Sequence, residues 1–515
     1  MERQNVLGRT MENLLETLPE SMVVLLRAAV LATKKSKKVM AFSHIDADGI
    51  SALAIIVRAL EHEHKEFEWK NIHQINSESI IEIKSEVERF KPDLVIFSDF
   101  GTGQFGLVEN HIAVMDEVRQ VIILDHHLPQ DRDVEDNQAS HHHKIIEINP
   151  CQHDMSGSFD ISGSGVAFLF ALGLSPENVE LTELAIVGAT GDLQDFYGKG
   201  FTGVNENIIE LGEAAGFLKV TRDLTFFGIN TRPLPYLLQY ATDPYLPGLT
   251  GEEAACYSFF EDLGIPMKDG HDEWRTWVNL ESNEKQAIIQ KLIQHIFEMY
   301  NDPRIASGLI GDVIILPRRP ERTEMRSAKE FSTLLNACGR NKKPDVGVKI
   351  CLGDHDAIIE GRHLLQEHRR NLATALRRLE DDGYTTMDGL YLVNDPDTPD
   401  TIIGIVIGMA QGSRIVPIDK PIIGVSSNTS SDSPLVKLSG RAPKHLVKRG
   451  ISLKETFVSV AYAMNEKYEK LVAEAGGHPM AAGAFIQKDY VEEFLKLSSD
   501  HLEKTLKLEE IKKKD

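Results

Sequence analysis

Three short apolar runs constrain this chain more than any other feature: "KKVMAFS" (37–43), "PDLVIFSD" (92–99) and "QVIILDHH" (120–127). Each is rich in Val, Ile or Phe and runs directly into histidine or aspartate. Unbroken apolar runs of this length suit strands buried on both faces, the condition of a parallel sheet covered by helices. After the first run, Ile50, Leu53, Ala54, Val57 and Leu60 recur at helical spacing, so strand and helix form a βα unit. The expected fold class is α/β with a parallel sheet. Open sheets of this kind bind ligands beyond the carboxyl ends of their strands. The polar residues that follow Ser43, Ser98 and Leu124 can therefore meet, although they lie far apart in the chain.

Of the 515 residues, 42% are hydrophobic and 26% charged, which supports two or three domains with real cores and excludes a disordered chain. "MVVLLRAAVLA" (22–32) carries an arginine, is too short to span a bilayer and lacks a following small-residue cleavage site. No membrane association is expected, and the cytoplasm is the expected compartment. Cys151, Cys256, Cys338 and Cys351 show no C-x-x-C spacing, which predicts neither a zinc knuckle nor a disulfide framework. The net charge of −22 argues against a broadly basic exterior for nucleic acid. Carboxylates gathered around cations are neutralised locally, however, and a basic groove can coexist with an acidic surface.

Residues 1–240 read as a catalytic α/β domain with an N-terminal helix. Residues 241–330 read as a largely helical insertion around "EKQAIIQKLIQHIFEMY" (284–300), and 331–383 as a region built on a connecting helix, "GRHLLQEHRRNLATALRRLEDD" (361–382). The α/β pattern resumes in "DGLYLV", "TIIGIVIGMA" and "KPIIGVSS", giving a smaller α/β domain over 384–490, and 491–515 reads as a charged C-terminal helix.

The strongest chemical signal is the set His44, Asp46, Asp48, Asp99, His126 and Asp192, drawn from "SHIDADGISA" (43–52), the ends of the second and third runs, and "GATGDLQD" (188–195). Any one of them alone could cap a helix or sit in a polar loop. Six at one sheet edge point to a metal centre. Imidazoles and carboxylates without thiolates suit Mn²⁺ or Mg²⁺ better than structural zinc. Two ions about 3.5–4 Å apart, sharing a carboxylate, would polarise a phosphate and activate a water. "HHH" (141–143) lies in the polar stretch "DRDVEDNQASHHHK" and reads as a solvated loop.

Further segments fall in order along residues 40–485: "IFSDFG", "ILDHHLP", "ISGSGVAF" (161–168), "TRPLPYLLQYATDPYLPG" (231–248), "AKEFSTLLNACGR" (328–340), "SGRAPK" (439–444) and "AGGHPMAAGA" (475–484). With them the sequence resembles the DHH phosphoesterase superfamily, named for the tripeptide that stands here as Asp125-His126-His127. Within it the chain is similar to archaeal RecJ-type single-strand exonucleases. The resemblance implies that His44, Asp46 and Asp99 hold one metal while Asp48, Asp99, His126 and Asp192 hold the other, with Asp99 as the bridge. It implies that His127 faces the scissile phosphate and that Asp125 orients the neighbouring imidazole. Gly49 would let the backbone pass close to the ions.

In the DHH-associated domain the resemblance gives Arg441, His478, Ser439, Gly476 and Gly477 to the grip on substrate phosphate, for which the planar fork of arginine is suited. Arg340 would contact substrate or, alternatively, form an interdomain salt bridge. Relatives often carry three glycines where Ala475-Gly476-Gly477 stands, so a slightly different turn is expected. "SGSG" (162–165) would hold a phosphate on its N–H groups or serve as a serine cap with glycines for close packing.

The expected function is a two-metal exonuclease of single-stranded DNA or RNA, using Mn²⁺ ahead of Mg²⁺, in replication, repair or RNA processing. Two alternatives stand beside it. One is a phosphodiesterase for oligoribonucleotides or cyclic dinucleotides, as in smaller superfamily members. The other is a replisome scaffold that binds the GINS complex, since archaeal relatives resemble a eukaryotic helicase subunit of the same fold.

Overall fold

The computed structural model describes residues 10, 12–130, 141–195, 200–241, 246–300, 306, 308–426 and 435–512. Five strands, β1 (Lys38–Ser43), β2 (Glu66–Asn71), β3 (Leu94–Ser98), β4 (Gln120–Leu124) and β5 (Ile145–Ile148), form a parallel sheet in the order β2-β1-β3-β4-β5. The three apolar runs are the three central strands. Their alternate residues feed two separate cores: Val39, Ala41, Ile96 and Ile122 on one face, and Phe42, Val95, Phe97 and Ile123 on the other. The edge strand β2, "EFEWKN", is half-buried and charged, so it carries no apolar run that a sequence pattern could detect.

Register sets the position of the site. Ser43 pairs with Ser98 and Ser98 with Leu124, so β1, β3 and β4 end level. The Ser43 hydroxyl donates to Gly49 O (2.7 Å) and Ser98 O (2.9 Å), tying the β1 exit to its neighbour. The helix Ala47–His62 follows at once, capped by Asp46, whose Oδ1 accepts from Gly49 N at 3.0 Å. It packs its apolar face against the helices Gly163–Leu174 and Thr182–Gly191.

Farther along, β6 (Lys219–Leu224) pairs antiparallel with β7 (Ile310–Ile315). The segment 241–330 is therefore not helical throughout: besides the helices Glu253–Asp262 and Ser282–Tyr300 it supplies β7. The helix Ala328–Arg340 is capped by Ser327, which accepts from Glu330 N. The helix His355–Asp382 has 28 residues and continues from the first of two compact units into the second. The units comprise Met1–Tyr240 with Gly251–Leu365, and Ala241–Thr250 with Gln366–Asp515.

The second unit is built on a six-stranded mixed sheet, β8 (Thr385–Thr386), β9 (Tyr391–Asn394), β10 (Ile422–Ser426), β11 (Leu435–Arg441), β12 (Ala473–Gly477) and β13 (Ala481–Gln487), ordered β12-β13-β11-β10-β9-β8. One face buries Leu438, Phe457, Ile486 and Phe494, and the other packs Ile403 and Ile407 of the helix Ile403–Gly412. Among the described residues no helix is long and apolar enough to cross a membrane, and all four cysteines are free thiols.

Candidate metal centre

Asp99 follows β3 with φ +60°, a left-handed backbone that a non-glycine residue adopts only under constraint. Its N–H donates to Leu124 O at 2.9 Å, and the residue is 1% exposed. This turn aims both carboxylate oxygens across the level strand ends. Oδ2 lies 3.6 Å from His44 Nδ1, and Oδ1 lies 3.2 Å from His126 Nε2. His44 Nδ1 is also 3.0 Å from Asp46 Oδ2. His126 Nε2 is 3.2 Å from Asp192 Oδ2 and 3.6 Å from Asp48 Oδ2. Three overlapping groups result, His44-Asp46-Asp99, Asp48-His126-Asp192 and Asp99-His126-His127, with ligating atoms within 4.8 Å of one another in each. Asp99 belongs to the first and third and lies against His126 of the second.

Asp48 and His126 are held from behind. Asp48 Oδ1 accepts from the Ser162 hydroxyl (2.9 Å) and Ser164 N (3.0 Å), and Oδ2 from Gly163 N (2.7 Å). The start of the helix Gly163–Leu174 thus binds an anion, but that anion is Asp48. Of the two readings of "SGSG", the serine cap with close-packed glycines is the one found: Ser162 accepts from Gly165 N, and the N–H groups of Gly163 and Ser164 are taken by a carboxylate of the protein rather than by a phosphate. A Cβ on Gly163 would lie 2.7 Å from Asp99 Oδ1, and one on Gly49 would lie 2.6 Å from His44 O, so both close approaches require glycine. His126 Nδ1 is 2.5 Å from Gly157 O and so donates to it, which turns Nε2 toward the carboxylates. Asp125 Oδ1 accepts from His127 Nδ1 (2.8 Å) and His126 N (2.7 Å), and its Oδ2 accepts from Thr102 N (2.9 Å). The imidazole that Asp125 orients is therefore that of His127.

The charges conflict with one another. Burial, reinforced by the charge of Asp99, pushes Asp48 up to about 7. Burial and then the charge of Asp48 push Asp192 well above the carboxylate range. For Asp46, burial opposes ionisation but the facing His44 imidazole wins and holds it well below that range. Burial opposes a charged His126, yet the Asp99 carboxylate 3.2 Å away and the charge of Asp192 raise it well above the ordinary value. His44 Nδ1, both Asp99 oxygens and His126 Nε2 are buried and make no hydrogen bond among the described residues. Orphaned oxygen and imidazole donors that converge without thiolates fit a hard or borderline divalent ion, which would relieve this conflict.

Arg340 ends the helix Ala328–Arg340, which is pressed against the same turn: Ala47 N donates to Asn336 Oδ1 (3.1 Å), and a Cβ on Gly339 would lie 1.9 Å from Ile45 O. Burial lowers the Arg340 pKa while the charge of Asp46 raises it, which sets the guanidinium within electrostatic reach of the centre. In the second unit Arg441 closes β11, with Nη1 donating to Gly440 O at 2.8 Å. Ala442 N donates to Met480 O (2.8 Å) and His478 N to Ala481 O (2.8 Å), so Arg441 and the β12–β13 turn share one end of that sheet. Gly477 has φ +126° and no room for a Cβ, whereas Gly476 faces open space. Ala475 pairs with Ala484 as an ordinary strand residue, so the turn forms without a third glycine. His142 lies 2.6 Å from Glu109 Oε1 and joins no metal-like cluster among the described residues.

Sequence reasoning missed the roles of Ser162, Gly163, Ser164 and Gly157. The "SGSG" signal was visible, but its partner 115 residues away was not.

A parallel sheet whose strand ends deliver imidazoles and carboxylates into adjoining clusters defines an α/β protein with a candidate divalent-metal site. The model of the DHH family, N-terminal domain, matches residues 38–191, and that of the DHH-CID domain matches 226–307. An uncharacterized protein of Methanocaldococcus jannaschii is 30% identical over 455 residues, which cover 88% of this chain and 90% of that one. The chain belongs to the DHH family, whose members are phosphoesterases. Its fold is RecJ-like: RecJ from Thermus thermophilus in complex with Mn²⁺ superposes with a TM-score of 0.54 at 17% identity, over 93% of this chain and 54% of that one. This chain thus spans about half the length of that RecJ. CDC45 from Entamoeba histolytica gives a TM-score of 0.59 at 13% identity, over 95% and 99% of the two chains.

Proposed function

We propose that this protein is a metal-dependent exonuclease that hydrolyses phosphodiester bonds of single-stranded nucleic acid, DNA or RNA. The observation that carries this reading is the pair of clusters that meet at Asp99. His44, Asp46 and Asp99 would hold one divalent ion, and Asp48, Asp99, His126 and Asp192 a second, with Mn²⁺ preferred because imidazoles are among the donors. When bound, such a pair supplies Lewis-acid polarisation of a phosphoryl oxygen and makes water more acidic.

The remaining residues bind and orient. Asp125 fixes the His127 ring by its Nδ1, leaving Nε2 to donate to a phosphoryl oxygen. Arg340 would contact the strand from the first unit. Arg441, Ser439 and His478, with the Gly476-Gly477 turn, would grip phosphate from a domain over 384–490, while 1–240 carries the metals. The RecJ likeness supports a nucleic-acid substrate.

The test is digestion of end-labelled single strands of about 20 nucleotides, as DNA and as RNA, beside a dinucleotide, with Mn²⁺ or with chelator. Stepwise loss from one end, only with metal and only on the longer strands, is expected. Cleavage of the dinucleotide alone would point to the short-substrate phosphodiesterase. The CDC45 likeness over nearly the whole of both chains favours a second reading, a GINS-binding replisome scaffold. No cleavage of any substrate, together with retained GINS binding, would establish the scaffold instead.

A further inference from the structure

In the second unit, Lys437, Ser439 and Arg441 stand at alternate positions of β11 and so share one face of the sheet. That face carries two cations, Lys437 and Arg441. The Lys437 side chain leans along the strand rather than away from it. Its Nζ lies 4.0 Å from the centroid of the Phe485 ring, and a Cβ on Gly483, the residue that pairs with Ser439, would meet it at 3.0 Å. The ammonium is thereby brought alongside Ser439, toward Arg441.

The arginine is placed to match. A Cβ on Gly404 would lie 2.7 Å from Arg441 Nη2 and 3.3 Å from Ser439 Cβ, so the helix Ile403–Gly412 leaves room for the guanidinium only because glycine stands there. The Lys437 side chain makes no hydrogen bond and no ion pair among the described residues; its ammonium lies over the Phe485 face, within longer-range reach of the charges of Asp400 and Arg441. Burial, opposed by Asp400 and reinforced by Arg441, pushes it down to about 8. Two cations brought together, one of them without an anionic partner, are unfavourable unless an anion joins them.

We propose that Lys437 is a phosphate-contacting residue, which holds a backbone phosphate of the strand next to the one taken by Arg441. The inference rests on the reading of this unit as the substrate grip. Aromatic support under the ammonium, and a glycine beside each cation, Gly483 by Lys437 and Gly404 by Arg441, set both charges on one strand face, where a phosphate can join them.

The test is equilibrium binding of a fluorescent single strand of about 20 nucleotides, as DNA and as RNA, to the full chain across a salt series. Lys437→Met, Lys437→Arg and Arg441→Ala are compared with wild type, and thermal unfolding confirms that each variant is folded. The proposal expects Lys437→Met to bind about 5- to 20-fold more weakly, with the slope of log K against log salt shallower by about 0.7, the release expected for one phosphate contact of a single strand. Lys437→Arg should restore both. If Lys437→Met binds as wild type while Arg441→Ala is weakened, Lys437 has no such role and the grip stands. If Lys437→Met is weakened with an unchanged salt slope, its role is packing on Phe485 and the proposal fails. If both variants bind as wild type, or wild type binds neither strand, the reading of this unit falls and Lys437 with it.

Discussion

Asp99 bears the account at the scale of single residues. Its left-handed backbone and full burial are costs, of the order of 1–3 kcal/mol for the strained dihedral alone, that a surface aspartate would not incur. Asp99→Ala should keep the fold, because the Asp99 carboxylate makes no hydrogen bond among the described residues, yet lower hydrolysis in saturating Mn²⁺ by about three orders of magnitude or more, several kcal/mol of lost electrostatic stabilisation. Turnover within tenfold of wild type would rule out a bridging role. Asp125→Asn removes the charge facing His127 Nδ1 and replaces one of the two acceptor oxygens, which serve His127 and Thr102, with a donor. Steady-state kinetics should show kcat lower by about 10- to 100-fold, while calorimetry shows Mn²⁺ affinity within a few-fold of wild type, if the imidazole that Asp125 orients faces phosphate, as proposed, rather than an ion. The aspartates and histidines were legible in the sequence because their chemistry is carried by residue type. The hydrogen bonds from residues 162–164 to Asp48 were not, because a contact across 114 to 116 residues leaves no local trace.

Among the elements, what the sequence discloses follows apolar content. β1, β3 and β4 announce themselves because both faces are buried, whereas β2 and β5 sit at the sheet edges and carry too little continuous apolar pattern. β7 was read as part of a helical insertion because "IGDVII" is interrupted by Gly311 and Asp312, and its partner β6 lies some 90 residues earlier. The helix Gly163–Leu174 was legible, but not the use of its first turn. Gly163→Ala tests that use. Alanine favours a helix interior over glycine by about 0.5–1 kcal/mol, yet here its Cβ would collide with Asp99 Oδ1. Calorimetry should show Mn²⁺ affinity at least tenfold weaker in a chain that is still helical by circular dichroism. Unchanged affinity would mean that the helix start does not set the position of the carboxylates.

For the molecule as a whole, a net charge of −22 need not oppose a polyanionic substrate if the carboxylates of the candidate metal centre in the first unit are neutralised by bound ions, while Lys437 and Arg441 stand on β11 in the second. The division of labour predicts that Arg441→Ala leaves Mn²⁺ binding unchanged by calorimetry while slowing turnover of single strands by one to three orders of magnitude, the scale of a lost charge-assisted contact of about 1.5–3 kcal/mol plus misorientation. Loss of metal from that variant would refute the division. Ions that bind only the folded state also stabilise it, by about 2.7 kcal/mol at a hundredfold excess over the dissociation constant. Mn²⁺ should therefore raise the melting temperature of wild type by several degrees and leave that of Asp99→Ala nearly unmoved. The claim of a paired-ion phosphoesterase centre is tested most directly by the Mn²⁺ stoichiometry of the full chain, titrated calorimetrically after exhaustive chelation. Two ions per chain in wild type, falling to one or none in Asp99→Ala, is the predicted result; one ion or none in wild type, or two in both proteins, would contradict it.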